Sequence, residues 1–191
     1  LRPRNRPSGT SPAARALRAL LTAKSSMKKL LVSACLLGEP LRYDGDDNAG
    51  KVSHLKTLLD PWMAEGRLVP VCPETLGGLP TPRPPAEAEQ GGGSAVLTGI
   101  ARVQTYTGDN VTQAFIHGAE KALATAQRYQ CQGALLAARS PSCGVSEIYD
   151  GSHTRTLIAG DGVTTALLKQ HNIVCFTPDM AAELIQWMNN D

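Results

Sequence analysis

The feature that most constrains this chain is the alternation, from Met27 onward, of short apolar runs with longer amphipathic stretches. Short apolar runs are typical of buried strands, and apolar residues at helical spacing are typical of helices. Strands separated by helices favour a mainly parallel sheet with helices on both faces. We therefore predict a single α/β domain of Rossmann-like type over residues 27–191.

The predicted elements follow this alternation. A Pro- and Gly-rich segment, 75–93, is predicted as a long loop that could hold a lid or wrap a site. Pro70 lacks a backbone N–H, so its strand must lie at a sheet edge or contain a bulge. Strands are predicted at 30–35, 67–72, 99–106, 133–138 and 173–177, and helices at 53–65, 110–130, 163–170 and 179–188.

Charge is divided unevenly along the chain. Residues 1–26 hold six basic groups and no acidic group, whereas the remaining 165 residues hold 13 basic and 17 acidic groups. The basic segment is compatible with a transit-like presequence or a nucleic-acid-binding arm. We expect instead a disordered extension, or a misassigned start with Met27 as the first residue of the protein.

The composition and motifs of the chain also argue against several classes of binding partner. No apolar run approaches 18 residues, so no membrane-spanning helix is predicted. Acidic groups outnumber basic groups in residues 27–191, so this part of the chain is not predicted to bind nucleic acid through a surface of basic side chains. No Gly-rich phosphate-binding motif is present, which weakens a nucleotide-binding interpretation. We expect a cytoplasmic protein.

The five cysteines are more informative by position than by number. Cys35 and Cys72 end two predicted strands, and Cys143 lies in the turn that follows a third. Because ligands bind outside the carboxyl ends of strands in open α/β sheets, these three thiols can converge. Three thiolates suit a soft metal or an iron–sulfur cluster. Cys131 and Cys175 are expected to be buried packing residues.

Six motifs are found in order along the chain, and they resemble those of the thiouracil desulfurase family. The resemblance runs from about Lys29 to the C-terminus. Many relatives have a further cysteine just before the RYDG motif, where this chain has Leu41, and that departure leaves the three-cysteine site intact. The motifs are SACLLG at 33–38, RYDG at 42–45, CPE at 72–74, GGLPTPR at 77–83, SPSCG at 140–144 and GDGV at 160–163.

The resemblance implies a [4Fe-4S] cluster held by only Cys35, Cys72 and Cys143. It also implies removal of sulfur from a small thiolated pyrimidine without net redox change. Three protein ligands leave one iron open to the thiocarbonyl sulfur of a substrate, whose carbon it would polarise as a Lewis acid. The displaced sulfur would leave as hydrogen sulfide. The alternative is a non-catalytic module that binds a metal or a cluster.

Attack by water on the thiocarbonyl carbon of the substrate requires a general base. Glu74, two residues after Cys72, is the predicted base. Ser140 and Ser142 are predicted to orient the pyrimidine or to donate to developing negative charge. Asp44 and Arg83 are weaker candidates for substrate binding.

Each of these residues also has a purely structural alternative. Glu74 could cap a turn or pair with Arg83, and the two serines could be turn residues only. Asp44 could be a turn residue paired with Arg42.

Two further predictions concern polar regions of the chain. Arg83 and Glu87 could form an ion pair that fixes the Pro-rich loop. The segment 149–155 could contact substrate. The four histidines match no ligand spacing and are interpreted as surface groups: His54, His117, His153 and His171.

Overall fold

The computed structural model describes residues 11–25 and 27–190, with the backbone alone described for 21–25. Three short 3₁₀ helices, Ala34–Leu37, Ala49–Leu55 and Pro178–Met180, connect the main elements. The strands are β1 (Lys29–Ser33), β2 (Leu68–Val71), β3 (Ala86–Ala88), β4 (Val103–Thr105), β5 (Cys131–Leu135), β6 (Glu147–Tyr149), β7 (Leu157–Ala159) and β8 (Val174–Phe176). The helices are α1 (Pro12–Ser25), α2 (Lys56–Ala64), α3 (Pro73–Leu76), α4 (Gly92–Leu97), α5 (Thr112–Arg128), α6 (Val163–Gln170) and α7 (Ala181–Asn189).

The centre of the molecule is a four-stranded parallel sheet in the order β2-β1-β5-β8. In its register, Leu31 of β1 lies opposite Val69 of β2 and Ala134 of β5. The order makes β2 an edge strand, and an edge tolerates the missing N–H of Pro70. The parallel sheet, flanked by helices, confirms the predicted α/β class.

The main core lies on both faces of this sheet. Leu30, Leu31 and Val32 of β1 are fully buried, as expected for an inner strand of a parallel sheet covered by helices. Helix α5 contributes a stripe of buried residues at helical spacing, among them Phe115, Ala119 and Ala122. The small alanine side chains let α5 pack close to its neighbours.

Two antiparallel strand pairs lie outside the central sheet. Strand β3 pairs with β4, and β6 pairs with β7. The predicted loop over 75–93 is therefore only partly correct, because it contains the end of α3, all of β3 and the start of α4. A three-residue strand among prolines has no periodicity of its own, and its pairing with β4 is what makes it a strand.

Helix α3 is held against α5 by direct contact between backbones. A Cβ atom added at Gly118 would lie 1.9 Å from the carbonyl oxygen of Pro73, and one added at Gly77 would lie 2.0 Å from that of Ala114. Only glycine fits at either position. This contact sets the position of Cys72 and Glu74, which lie at the start of α3.

The basic N-terminal segment forms helix α1 where it is described. The described side chains of this segment, those of residues 11–20, are exposed. Residues 1–10 and 26 lie outside the described residues, so the predicted extension over 1–26 stays a prediction.

Across the described ranges, no helix combines the length and the apolar character needed to cross a membrane.

Candidate active site

The three predicted thiols each follow a strand of the central sheet. Cys35 lies in the 3₁₀ turn after β1, Cys72 immediately precedes α3 after β2, and Cys143 lies in the loop after β5. Because β1, β2 and β5 are parallel neighbours, their carboxyl ends meet at one edge. The turn after β1 is closed by Gly38, whose φ of 92° is a left-handed conformation that favours glycine.

All three thiols line one cavity of about 570 Å³. This volume is within the range of small-molecule sites. Glu74 and Ser140 line the same cavity, which we call the thiol cavity. The structure thus brings together five of the residues predicted from the sequence.

Two of the three thiols in this cavity, Cys35 and Cys143, have raised pKa values. Burial is the main cause that raises the pKa of Cys143, and the nearby Cys35, Glu74 and Cys72 raise it further, against a lowering by the Ser33 hydroxyl. Burial also raises the pKa of Cys35, and a hydrogen bond from Asn48 lowers it. Repulsion from the neighbouring Cys72 adds to the raised pKa of both Cys35 and Cys143, and a cationic group bound among the thiols would oppose it.

The three thiols of the cavity fit an iron–sulfur cluster better than a single metal ion. Within the described ranges, no group of three or more His, Cys, Asp or Glu residues could hold one ion. A four-iron cluster is wider than one ion, so its thiolate ligands lie further apart. Three thiols around one cavity, with one N–H donor on a sulfur (Asn48 Nδ2 to Cys35 Sγ, 3.5 Å), match the ligation that such clusters use.

Glu74 is held by the buried Arg83. Arg83 Nη2 donates to Glu74 Oε2 at 2.9 Å and to the carbonyl oxygen of Leu41 at 3.0 Å. The Arg83 side chain is 4% exposed and that of Glu74 is 19% exposed. This pairing is the structural alternative that the sequence offered for Glu74. Arg83 lies outside the lining of the thiol cavity, and the substrate contact predicted for it stays a prediction.

The two predicted serines have different environments. Ser140 lines the thiol cavity. Its Oγ accepts the backbone N–H groups of Ser142 (3.1 Å) and Cys143 (3.0 Å), which shapes the loop around Cys143. Ser142 is buried outside the cavity lining, and its hydroxyl bonds to Thr164 Oγ1 at 2.8 Å. This bond packs the loop on α6, and the predicted substrate contact from Ser142 stays a prediction.

Asp44 also lies outside the lining of the thiol cavity. Its carboxylate pairs with Arg42 at 3.4 Å and accepts the backbone N–H of Asp46 at 3.0 Å. These contacts are those of the turn-forming alternative, and the substrate contact predicted for Asp44 stays a prediction. Arg42 itself lines the cavity.

The sequence interpretation missed one pair on the cavity wall. Glu87 bonds His153, not Arg83, with 3.2 Å between Glu87 Oε2 and His153 Nδ1. Both residues line the thiol cavity, so His153 is not the surface group that was expected. Tyr149 and Arg155 line it as well, which places segment 149–155 at the cavity. No spacing in the sequence indicates this arrangement, because β3 and the β6–β7 turn meet only in the fold.

Comparisons with known proteins agree with this geometry. The sequence model of the 2-thiouracil desulfurase family matches residues 30–179. The uncharacterized protein YbbK of Bacillus subtilis (strain 168) is 43% identical over 141 residues, which cover 74% of this chain and 89% of YbbK. A solved structure described as the [4Fe-4S]-dependent thiouracil desulfidase TudS is 44% identical, with a TM-score of 0.74. The match covers 84% of this chain and 97% of TudS.

Proposed function

The chain belongs to the 2-thiouracil desulfurase family, and from that premise we propose that it removes sulfur from a thiolated pyrimidine. The proposed reaction exchanges a thiocarbonyl and water for a carbonyl and hydrogen sulfide, so no electrons are gained or lost. The observation that carries the proposal is the convergence of Cys35, Cys72 and Cys143 with Glu74 in one cavity.

We assign a [4Fe-4S] cluster to the three thiols of the cavity. When bound, such a cluster with one iron free of protein ligands supplies a soft Lewis acid for the thiocarbonyl sulfur. The cofactor named for the structurally similar TudS supports this assignment. Cys131 and Cys175 lie in β5 and β8 and remain packing residues.

Glu74 is the proposed base for the attacking water. Arg83 holds its Oε2, whereas Oε1 has no hydrogen-bond partner within the described residues and is available to take a proton from water. The proton removed there is one of the two that the departing sulfide must receive. A carboxylate fixed by a buried guanidinium needs little reorganisation before it acts.

Ser140 is the proposed contact to the substrate. Its oxygen already accepts two backbone N–H groups, so its own O–H proton is free to be donated. A donor on the cavity wall stabilises the negative charge that develops when water adds to the carbon.

The experiment is an anaerobic sulfide-release assay over a panel of thiolated pyrimidines, with the cluster reconstituted beforehand. We expect Glu74→Gln, which keeps the shape but not the base, to retain iron and sulfide and to lower kcat by about 10²-fold or more. Glu120→Gln is the matched control, because Glu120 pairs with His117 on α5, is 61% exposed and lies outside the cavity lining.

Three results would count against the proposal. A colourless, iron-free protein after reconstitution would reject the cluster. Full turnover by Glu74→Gln would reject the base. A stable cluster with no sulfide release from any substrate in the panel would favour the non-catalytic cluster-binding module.

A further inference from the structure

One wall of the thiol cavity is built from elements outside the central sheet. Glu87 comes from β3, Tyr106 follows β4, and His153 lies in the turn between β6 and β7. The three thiols come from the carboxyl ends of the central strands. This wall therefore adds polar side chains to the cavity from elements that supply none of the thiols.

Glu87 fixes the imidazole of His153 through two contacts to one oxygen. Glu87 Oε2 accepts the backbone N–H of His153 at 2.6 Å and lies 3.2 Å from His153 Nδ1. The Glu87 side chain is 9% exposed, and the Tyr106 ring packs edge-on against the imidazole with 6.1 Å between centroids. The ring is thus held in one orientation before any ligand enters.

The other ring nitrogen is free for a ligand. His153 Nε2 has no hydrogen-bond partner within the described part of the chain, although the residue lines the cavity. When Nδ1–H donates to Glu87, the neutral imidazole presents Nε2 as an acceptor. A pyrimidine ring offers N–H donors that suit such an acceptor.

The backbone of His153 limits which substitutions its turn accepts. Its φ is 58°, a left-handed conformation that is uncommon for a residue other than glycine.

We infer that His153 is a substrate-binding residue whose Nε2 accepts a ring N–H of the pyrimidine, with Glu87 as its positioning residue. This inference rests on the proposed function for the class of substrate. It adds a specificity-determining contact from elements of the fold that supply none of the thiols.

The test compares two variants, each of which replaces only one of the two ring nitrogens of His153 with an amide group. His153→Asn places an amide where Nδ1 stands and keeps the bond to Glu87, whereas His153→Gln places an amide where Nε2 stands. Both residue types already adopt this backbone conformation in the chain, at Asn172 (φ 59°) and Gln130 (φ 57°). Neither variant is therefore expected to disturb the turn.

The measurements are uracil binding by calorimetry on the cluster-loaded protein, and KM and kcat for sulfide release. We expect His153→Asn to raise the Kd for uracil and the KM about tenfold with kcat within about twofold, and His153→Gln to recover most of the affinity. Glu87→Gln is expected to weaken uracil binding through loss of orientation. His117→Asn is the control, because His117 is a 61% exposed partner of Glu120.

The outcomes separate this inference from the proposed function. Unchanged uracil binding in His153→Asn, equal losses in Asn and Gln, or no uracil binding by the wild type would overturn the contact. A wild type that binds uracil through His153 but releases no sulfide would contradict the proposed reaction and support the contact.

Discussion

At the scale of single residues, burial alone does not distinguish the proposed ligand Cys143 from the packing cysteines. Cys143 and Cys175 are 5% and 4% exposed. Their surroundings differ, because Cys143 lies in the thiol cavity and Cys175 lies in β8 with its Sγ directed to the carbonyl of Ile173. Only the first has two further thiols beside it.

We predict that Cys143→Ala loses the cluster and Cys175→Ala retains it. Iron and acid-labile sulfide, measured after anaerobic reconstitution, should fall from about four per chain to near zero in Cys143→Ala. Cys175→Ala should keep both and lose about 1 kcal/mol of stability, as is usual for a small core truncation. Iron loss in both variants would mean that the cluster depends on the core as a whole.

The buried ion pair between Arg83 and Glu74 links stability to activity. Removing one partner of a buried ion pair leaves the other charge unpaired, at a cost of about 3–5 kcal/mol. Arg83→Met should therefore lower the denaturation midpoint and reduce kcat at least tenfold, because Glu74 loses the donor that orients its Oε2.

The control for Arg83 is Arg102→Met. Arg102 pairs with Glu89, but its side chain is 59% exposed, and surface pairs contribute about 0–1 kcal/mol. If the two variants lose the same stability, or if Arg83→Met keeps the wild-type kcat at equal cluster content, Arg83 is not a positioning residue for Glu74.

At the scale of elements, the contact between α3 and α5 links helix packing to the site. Gly118→Ala would place a methyl group against the carbonyl of Pro73, so α3 must move away from α5. We predict a loss of about 1–3 kcal/mol from overpacking, with weaker cluster retention because Cys72 moves with α3. Denaturant unfolding and the rate of iron loss to a chelator measure the two effects.

Gly50→Ala is the matched control, because no heavy atom lies within 4 Å of a Cβ added there and the residue does not have a positive φ. It should leave both stability and iron retention near wild type. Equal iron loss in the two variants would show that the backbone contact does not position Cys72.

The elements also show which parts of the fold were predictable from the sequence. The long helix predicted at 110–130 is α5, Thr112–Arg128, because its apolar spacing is strong and local. The hairpin of β6 and β7 was not predicted, since each strand has three residues and depends on its partner. His153 lies in that hairpin turn, so the missed element and the missed site residue have one cause.

At the scale of the whole molecule, the buried thiols outside the cavity make the free energy of unfolding vary with pH in the alkaline range. Burial raises the pKa of Cys131 to about 11 and that of Cys175 to about 12, from 9.0. Groups whose folded pKa is raised stabilise the fold below the unfolded pKa, and that contribution is lost as the pH rises through the folded pKa.

We predict that stability falls between pH 9 and about pH 12, by about 1.4 kcal/mol per pH unit for each thiol that ionises only on unfolding. Urea unfolding across this range measures the slope, and Cys175→Ala should make it shallower above pH 9. A slope that does not change in Cys175→Ala would contradict the raised pKa of that thiol.

The sequence by itself determined the α/β class and the placement of three cysteines at strand ends, because apolar periodicity and residue order are local properties of the chain. Only the tertiary structure decided which charged groups are partners. Glu74 bonds Arg83 and Glu87 bonds His153, while Ser142 turns away from the cavity toward Thr164. These pairings join residues 9, 66 and 22 positions apart, and no local rule fixes which of several nearby strands and turns will meet.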